Sequence, residues 1–266
     1  MNDKNKIIVV CVSIIAVSLM GHPFKSEASE LDQPTIVTIE DDGKTDPVDP
    51  ENPGEIVDPG PTPSINSSLR IDFVSSLDFG KVKIKEKNRV YSALAQNFHG
   101  NTEPRGSYVQ ISDRREVKSG WTLQVKQETQ FSHVQAKNKK EQELTGAVLS
   151  LDNGWANSIT GNPKPNVYRN TILLNNIGQS YEVATSKKDA GKGIWTINFG
   201  ASKENQNGQK DTLIPALNER GEAIMDLVFQ KPAYYNSAIT LSIPDSIKIY
   251  PVQYQTELTW ILSELP

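Results

Sequence analysis

From residue 65 to the C-terminus, hydrophobic and polar positions alternate in short runs set apart by Gly, Asn, Pro and Asp clusters. Alternation with period two is the pattern of a strand that buries one face. In Ser68–Ser75, Leu69, Ile71 and Phe73 alternate with Arg70, Asp72 and Val74; in Ser107–Asp113, Tyr108 and Gln110 alternate with Val109 and Ile111. Gly120–Phe131 places Trp121, Leu123 and Val125 on one face and Thr122, Gln124 and Lys126 on the other. Further strands are predicted over Leu144–Leu151, Thr171–Asn175, Ile194–Phe199, Ala238–Ile243 and Val252–Leu262. Ala93–Phe98 and Leu213–Glu219 read as short helical turns. No β-α-β alternation is present, which disfavours a doubly wound sheet. The pattern predicts an all-β fold, a β-sandwich-like single domain over residues 67–266. Two polar stretches, 136–143 and 201–211, read as mobile loops able to carry specificity.

The N-terminal pattern is different. Lys4 and Lys6 precede an apolar run from Ile7 to Met20 without charge or proline, and the small-x-small stretch Ser26-Glu27-Ala28 follows. The run is shorter than the roughly 20 residues a membrane-spanning helix needs. Residues 1–28 therefore read as a signal peptide cleaved after Ala28, leaving no membrane span. Leu31–Ile39 has the pattern of a short strand. Residues 29–66 as a whole read as an acidic, Pro-rich linker whose core, 41–64, lacks the apolar surface to fold. Mostly extended, that core would reach about 75 Å and act as a spacer. Asp46, Asp49 and Asp58 suggest a calcium loop at first sight, but prolines break the required spacing.

Charge sharpens this division. The formal net charge of the chain is -4. Residues 29–64 hold ten acidic residues and one lysine, whereas residues 65–266 hold 24 basic against 20 acidic ones. A polyanionic partner for the domain is allowed by that balance and not required by it. Cys11, the only cysteine, lies inside the apolar run. The mature chain is thus expected to lack disulfides, thiolate metal sites and a cysteine nucleophile.

Catalytic constellations are sparse. His99 and His133 are far apart and outside any H-E-x-x-H, and both read as turn or strand-end residues. No G-x-S-x-G elbow is present, and Ala190-Gly191-Lys192-Gly193 lacks the spacing of a phosphate cradle. A glycosidase needs only two suitably spaced carboxylates, for which Asp113, Glu128 and Asp152 are the candidates. Each is more simply a strand-end or surface carboxylate. The chain reads as a non-enzyme without cofactor, metal or nucleic-acid partner.

Two W-x-L tripeptides stand out, Trp121-Thr122-Leu123 and Trp260-Ile261-Leu262. Residues i and i+2 of a strand share a face, so each sets an indole beside a branched aliphatic side chain. Their surroundings make them specific: SLRIDFVSSLDFGKVKI, SYVQISDRREVKSGWTLQVKQETQF, LTGAVLSL, GKGIWTINFG and YQTELTWILSELP follow in order. Over about Ser67 to Pro266 these segments resemble the WxL-domain surface proteins of low-GC Gram-positive bacteria. That resemblance implies an extracellular, cell-surface domain that binds peptidoglycan, or another wall polymer, without a covalent link. It also implies partners among larger WxL proteins and proteins with DUF916-type domains. The motif residues carried over are Trp121, Leu123, Trp260 and Leu262; Ile261 departs from the small polar residue usual between them.

Independently, an exported chain ending in Ser263-Glu264-Leu265-Pro266, without L-P-x-T-G, is not expected to be sorted covalently. Strand tryptophans usually pack a core, yet indoles also stack on sugars, and both roles stay open for Trp121 and Trp260. Trp155, in Asn153-Gly154-Trp155-Ala156-Asn157, is the candidate exposed aromatic, and Trp195 lies in a strand. The alternatives are a protein-protein interaction module or adhesin, binding a partner surface or host matrix protein through a domain face or the Lys137–Glu143 loop, and a wall-active glycosidase.

Overall fold

The computed structural model describes residues 28–32, 45–62, 67–116, 119–133, 135 and 143–265. The described strands are β1 (Ala28–Asp32), β2 (Leu69–Val74), β3 (Val90–Leu94), β4 (Ser107–Asp113), β5 (Trp121–Gln127), β6 (Val148–Leu151), β7 (Gly154–Asn157) and β8 (Asn166–Val167). They continue with β9 (Ile172–Leu174), β10 (Ser180–Ser186), β11 (Gly193–Phe199), β12 (Leu213–Pro215), β13 (Met225–Asp226), β14 (Lys231–Pro232), β15 (Tyr234–Ser242) and β16 (Leu258–Glu264). The domain is all-β, as its alternating pattern predicts. The segments expected as helical turns instead supply β3 and β12, because Leu94 and Leu213 pair with the long strand β15. Sheet pairing there outweighs a weak local preference.

Three sheets share one core. The first has the order β1-β16-β5-β10-β8, the second β2-β4-β11-β7, and the third β12-β15-β6-β9 with β3 on the other side of β15. Ile71, Val109, Ile111, Trp195 and Ile197 of the second sheet meet Trp121, Leu123, Trp260 and Leu262 of the first and Leu149, Leu151, Ile239 and Leu241 of the third. Every pairing is antiparallel. The expected signal peptide, apart from Ala28, and most of the 136–143 loop lie outside the described residues. Of the predicted strand 31–39, residues 31 and 32 belong to β1.

Two details depart from simple alternation. The register of β2 on β4 shifts between Ile71 and Phe73, so Ile71 faces Ile111 while Phe73 faces Gln110. A bulge of this kind turns the following residues to opposite faces. Leu69, Ile71 and Val74 enter the main core, and Phe73 joins Val57, Phe98 and Tyr108 in a second cluster on the far side of the sheet. Both faces of β2 and β4 are therefore buried.

What covers that far side is residues 45–62, the segment expected to be disordered linker. Val48 N–H donates to Gln110 Oε1 at 2.8 Å, Gln110 Nε2 donates to Asp46 O at 3.1 Å, and Asn157 Nδ2 donates to Pro50 O at 3.0 Å. The decisive contact is ionic. Arg105 grips buried Asp49 through Nε at 2.9 Å and Nη2 at 2.8 Å, and its Nη1 lies 3.6 Å from Glu51. Glu51 also accepts from the N–H and hydroxyl of Ser202, each at 2.6 Å. The acidic composition that suggested disorder is here neutralised by one arginine and two donors. The outer polar residues of β2 and β4, which alternation alone would put in water, form a buried network beneath the segment. Arg70 donates to Asp72 at 2.8 Å, and the Ser112 hydroxyl donates to Asp72 at 2.6 Å. Residues 45–62 belong to the domain and do not serve as an extended spacer.

Residues 45–62 thus form a strap across the second sheet, and its two buried carboxylates, Asp49 and Glu51, respond oppositely to burial. Burial pushes Asp49 up, but the Arg105 guanidinium outweighs it and holds the carboxyl below its ordinary range. For Glu51 burial wins over the Ser202 bonds and the more distant Arg105, and the carboxyl is raised. Stability from Asp49 is thus present above the ordinary carboxylate range and fades as pH falls through its lowered value. Stability from Glu51 is present at low pH and fades as pH rises through its raised value. Replacing Glu51→Gln should therefore raise Tm relative to wild type more at pH 8 than at pH 4, and a pH-independent difference would contradict this assignment. Arg105→Leu strands two buried carboxylates and should cost about 3–5 kcal/mol in urea denaturation. An unchanged midpoint would show that residues 45–62 contribute nothing to the fold.

Candidate functional site

The two W-x-L tripeptides lie side by side. β5 and β16 pair so that Leu123 faces Leu262, Val125 faces Trp260 and Trp121 faces Glu264. The alternation of β5 is complete, with Trp121, Leu123, Val125 and Gln127 buried and the residues between them half-buried. All four motif residues fall in the main core, with Trp121 fully buried and Trp260 3% exposed. Trp260 lies against Phe199, ring centroids 6.2 Å apart. The cavity beside it measures about 10 Å³. That is room for a water molecule and far less than a sugar ring needs.

Trp121 sits in a fitted cradle. Its Nε1–H donates to Gly191 O at 3.2 Å. Gly191 has φ +68°, and a Cβ there would lie 2.7 Å from Trp121 Nε1 and 2.5 Å from Ser186 Oγ. Ser186 pairs with Trp121 across β10 and β5, and its hydroxyl donates to Ala190 O at 2.6 Å. Only glycine permits both the left-handed turn and the close approach. The tetrapeptide that failed as a phosphate cradle thus cradles an indole instead. Beyond the Trp121 end, Arg115 binds Asp113 at 2.9 Å and Glu264 at 3.0 Å. Burial alone would weaken the Arg115 charge, but these two carboxylates raise its pKa above the ordinary value. The ion pairs tie the C-terminal strand to the end of β4.

Trp155 is corrected by the structure. It lies in β7, is 5% exposed, and donates its Nε1–H to Gly200 O at 2.8 Å. The Gly and Asn residues around it form a strand paired with β11, where Trp155 faces Asn198. Trp195 is likewise buried, donating to Lys192 O at 3.0 Å. The exposed aromatic of the described residues is Tyr168, 48% exposed, just past the edge strand β8. Nothing in the sequence separated it from the other seven tyrosines.

The remaining candidates hold structural partners. Asp113 is paired with Arg115, Glu128 receives Lys126 Nζ at 2.7 Å and the Thr259 hydroxyl at 2.6 Å, and Asp152 accepts from Asn153 N–H at 2.7 Å. Burial raises the Glu128 pKa, yet Lys126 and Thr259 outweigh it and lower the carboxyl, the wrong direction for a general acid. The His99 ring packs on Phe229 at 4.7 Å, and His133 Nδ1 lies 2.9 Å from Gln253 O. The 201–211 loop is closed on itself, Asn205 Nδ2 donating to Gln209 O at 3.0 Å, and bound to the strap through Asn207 Nδ2 to Glu51 O at 3.0 Å. No helix among the described residues is long and apolar enough to cross a membrane.

Trp121→Ala should cost about 3–5 kcal/mol of stability. Gly191→Ala should cost about 1–3 kcal/mol, through the displaced indole and the left-handed backbone. Denaturation midpoints check both, and a neutral Gly191→Ala would show that the cradle is not close-packed.

Comparison with curated proteins gave no match, and comparison with solved structures gave none either. A family model described as "WxL domain surface cell wall-binding" matches residues 26–266, a span that includes β1 and the strap as well as both tripeptides. With its two W-x-L tripeptides paired in the core of a domain so matched, the chain belongs to the WxL domain surface cell wall-binding family and is associated with the cell surface and wall.

Proposed function

We propose that the domain holds the protein on the outside of the cell by binding peptidoglycan non-covalently, and that it does so without catalysis. The family match over residues 26–266 carries this reading. The burial of Trp121 and Trp260 shapes it further. Indoles enclosed in the core have no face left for a sugar, so the wall contact belongs to the outer surface of the sheets. Tyr168, exposed at a sheet edge, offers the ring that a sugar can stack on. The test is retention of the purified chain on isolated sacculi. Trp260→Phe, assayed well below its melting temperature, should be retained as wild type is, and Tyr168→Ala should be retained less while melting unchanged. Loss of retention in a folded Trp260→Phe would overturn the assignment, as would release of reducing sugar by the wild-type chain.

A protein partner is the second reading, favoured by one observation. Leu227 and Val228 are 87% and 68% exposed at the tip of the β13–β14 hairpin. They are held there because Asp226 Oδ1 accepts from Val228 N–H at 3.0 Å while Asp226 Oδ2 accepts from Asn97 Nδ2 at 3.0 Å. A fixed apolar tip suits a pocket on a larger surface protein of the same assembly. Leu227→Ser with Val228→Ser should abolish partner capture and leave sacculus retention intact.

A further inference from the structure

Residues 81–89 read Lys-Val-Lys-Ile-Lys-Glu-Lys-Asn-Arg. Their alternation is that of a strand, yet among the described strands none includes them. Among the described residues the backbone of 81–84 makes no hydrogen bond. Gly80 and Asn88, with φ +63° and +52°, turn the chain at either end. The side chains from Lys81 to Asn88 are exposed. Nine residues thus carry five basic groups and one acidic group. Residues 65–266 outside this stretch hold 19 basic and 19 acidic residues, so the domain's whole positive excess is gathered here.

The stretch is fixed in place. Arg89 donates through Nε to Lys85 O at 2.8 Å and through Nη1 to Pro244 O at 3.1 Å, which ties the stretch to the turn that follows β15. Arg89 is consumed by this internal role. Lys85 Nζ donates to Val90 O at 2.6 Å over the Tyr91 ring. The acidic groups nearby are Asp78, whose carboxylate accepts from Gly80 N–H at 2.8 Å, Glu86, Glu219 on Lys83, and Asp245 at 4.0 Å from Arg89. Lys81 and Lys87 have no ion-pair partner among the described residues.

We infer that the 81–89 strip is a docking site for a phosphodiester-linked wall polymer, distinct from the surface that binds peptidoglycan. Lys81, Lys83 and Lys85 fall at every second residue ahead of the bend at 86–87, a spacing of about 6–7 Å where a chain is extended, and Lys87 follows the bend, so the strip offers a short row of point charges suited to neighbouring phosphates. A lysine presents a compact charge without the planar fork that arginine uses to grip one carboxylate, so the strip reads a repeating polyanion by charge and not by shape. Val82 and Ile84, both exposed, offer apolar contact to the polymer's carbon chain between charges. An edge-guarding role, in which lysines merely prevent strand addition, needs the charge but no polymer.

The experiment titrates the full purified chain with poly(glycerol phosphate) and, separately, with polyglutamate of matched charge. Wild type is expected to bind the phosphate polymer and to lose about tenfold in affinity between 50 and 200 mM salt, as counterion release at a few phosphates requires. Lys81→Gln/Lys83→Gln/Lys87→Gln is expected to lose at least tenfold with its melting temperature unchanged. Sacculi stripped of phosphodiester polymer should retain this variant as they retain wild type, so failure of peptidoglycan binding is read separately. The inference is overturned if wild type ignores the phosphate polymer, if the triple variant binds it undiminished, if polyglutamate binds more tightly, or if the variant's only change is aggregation.

Discussion

The pairing of β5 with β16 is the constraint on which the rest of this structure depends. It brings together a tripeptide from the middle of the chain and one from its end, and it fixes a register in which Leu123 faces Leu262 and Trp260 faces Val125. Because side chains alternate across a strand, that register sends both indoles to one side of the sheet. On that side the second and third sheets close over them, with Phe199 against Trp260 and Gly191 against Trp121. A shift of one residue in β16 would turn Trp260 and Leu262 outward while Trp121 and Leu123 stayed inward. In this chain the two tripeptides join β16 to the core through β5.

The strap extends the same logic to the opposite face. A sheet with an apolar and a polar side would ordinarily leave the polar side wet. Here Asp49, Glu51 and their neighbours cover it, and the charges they bring are met by Arg105 and Ser202. Buried ion pairs of this kind specify an arrangement more surely than they add stability, since each partner alone is costly to bury. The wall-binding domain therefore begins before the alternating strands do, in agreement with a family match that starts at residue 26.

How much of this was legible in the sequence follows from what is local and what is not. The two faces of β5 and of β4 could be read because alternation is set by the strand itself. Phe73 could not be placed, since a bulge opposite Ile111 and Gln110 reverses its face and leaves no mark in the period. The strap was misread because proline and acid predict disorder only when no partner exists. Arg105, more than fifty residues away, supplies that partner. Trp155 was misread for a related reason: its Gly and Asn neighbours suggest a loop, but Gly154 lies against Tyr168 O so closely that a Cβ there would be 2.2 Å away. Gly154 serves that close packing, and Asn157 donates through Nδ2 to Pro50 O and Glu51 O. The identity of the family was carried by the W-x-L motifs, whereas their burial required the three-sheet arrangement.

The central claim is that the tryptophans hold the domain together and do not touch the wall. Intrinsic tryptophan fluorescence tests it most directly, because all four indoles of the chain are buried. Emission should be blue-shifted and resistant to acrylamide in the free protein, and both properties should stay the same when the protein is bound to sacculi. A change in emission maximum or in quenching on binding, with the fold intact, would place an indole at the wall and contradict the account.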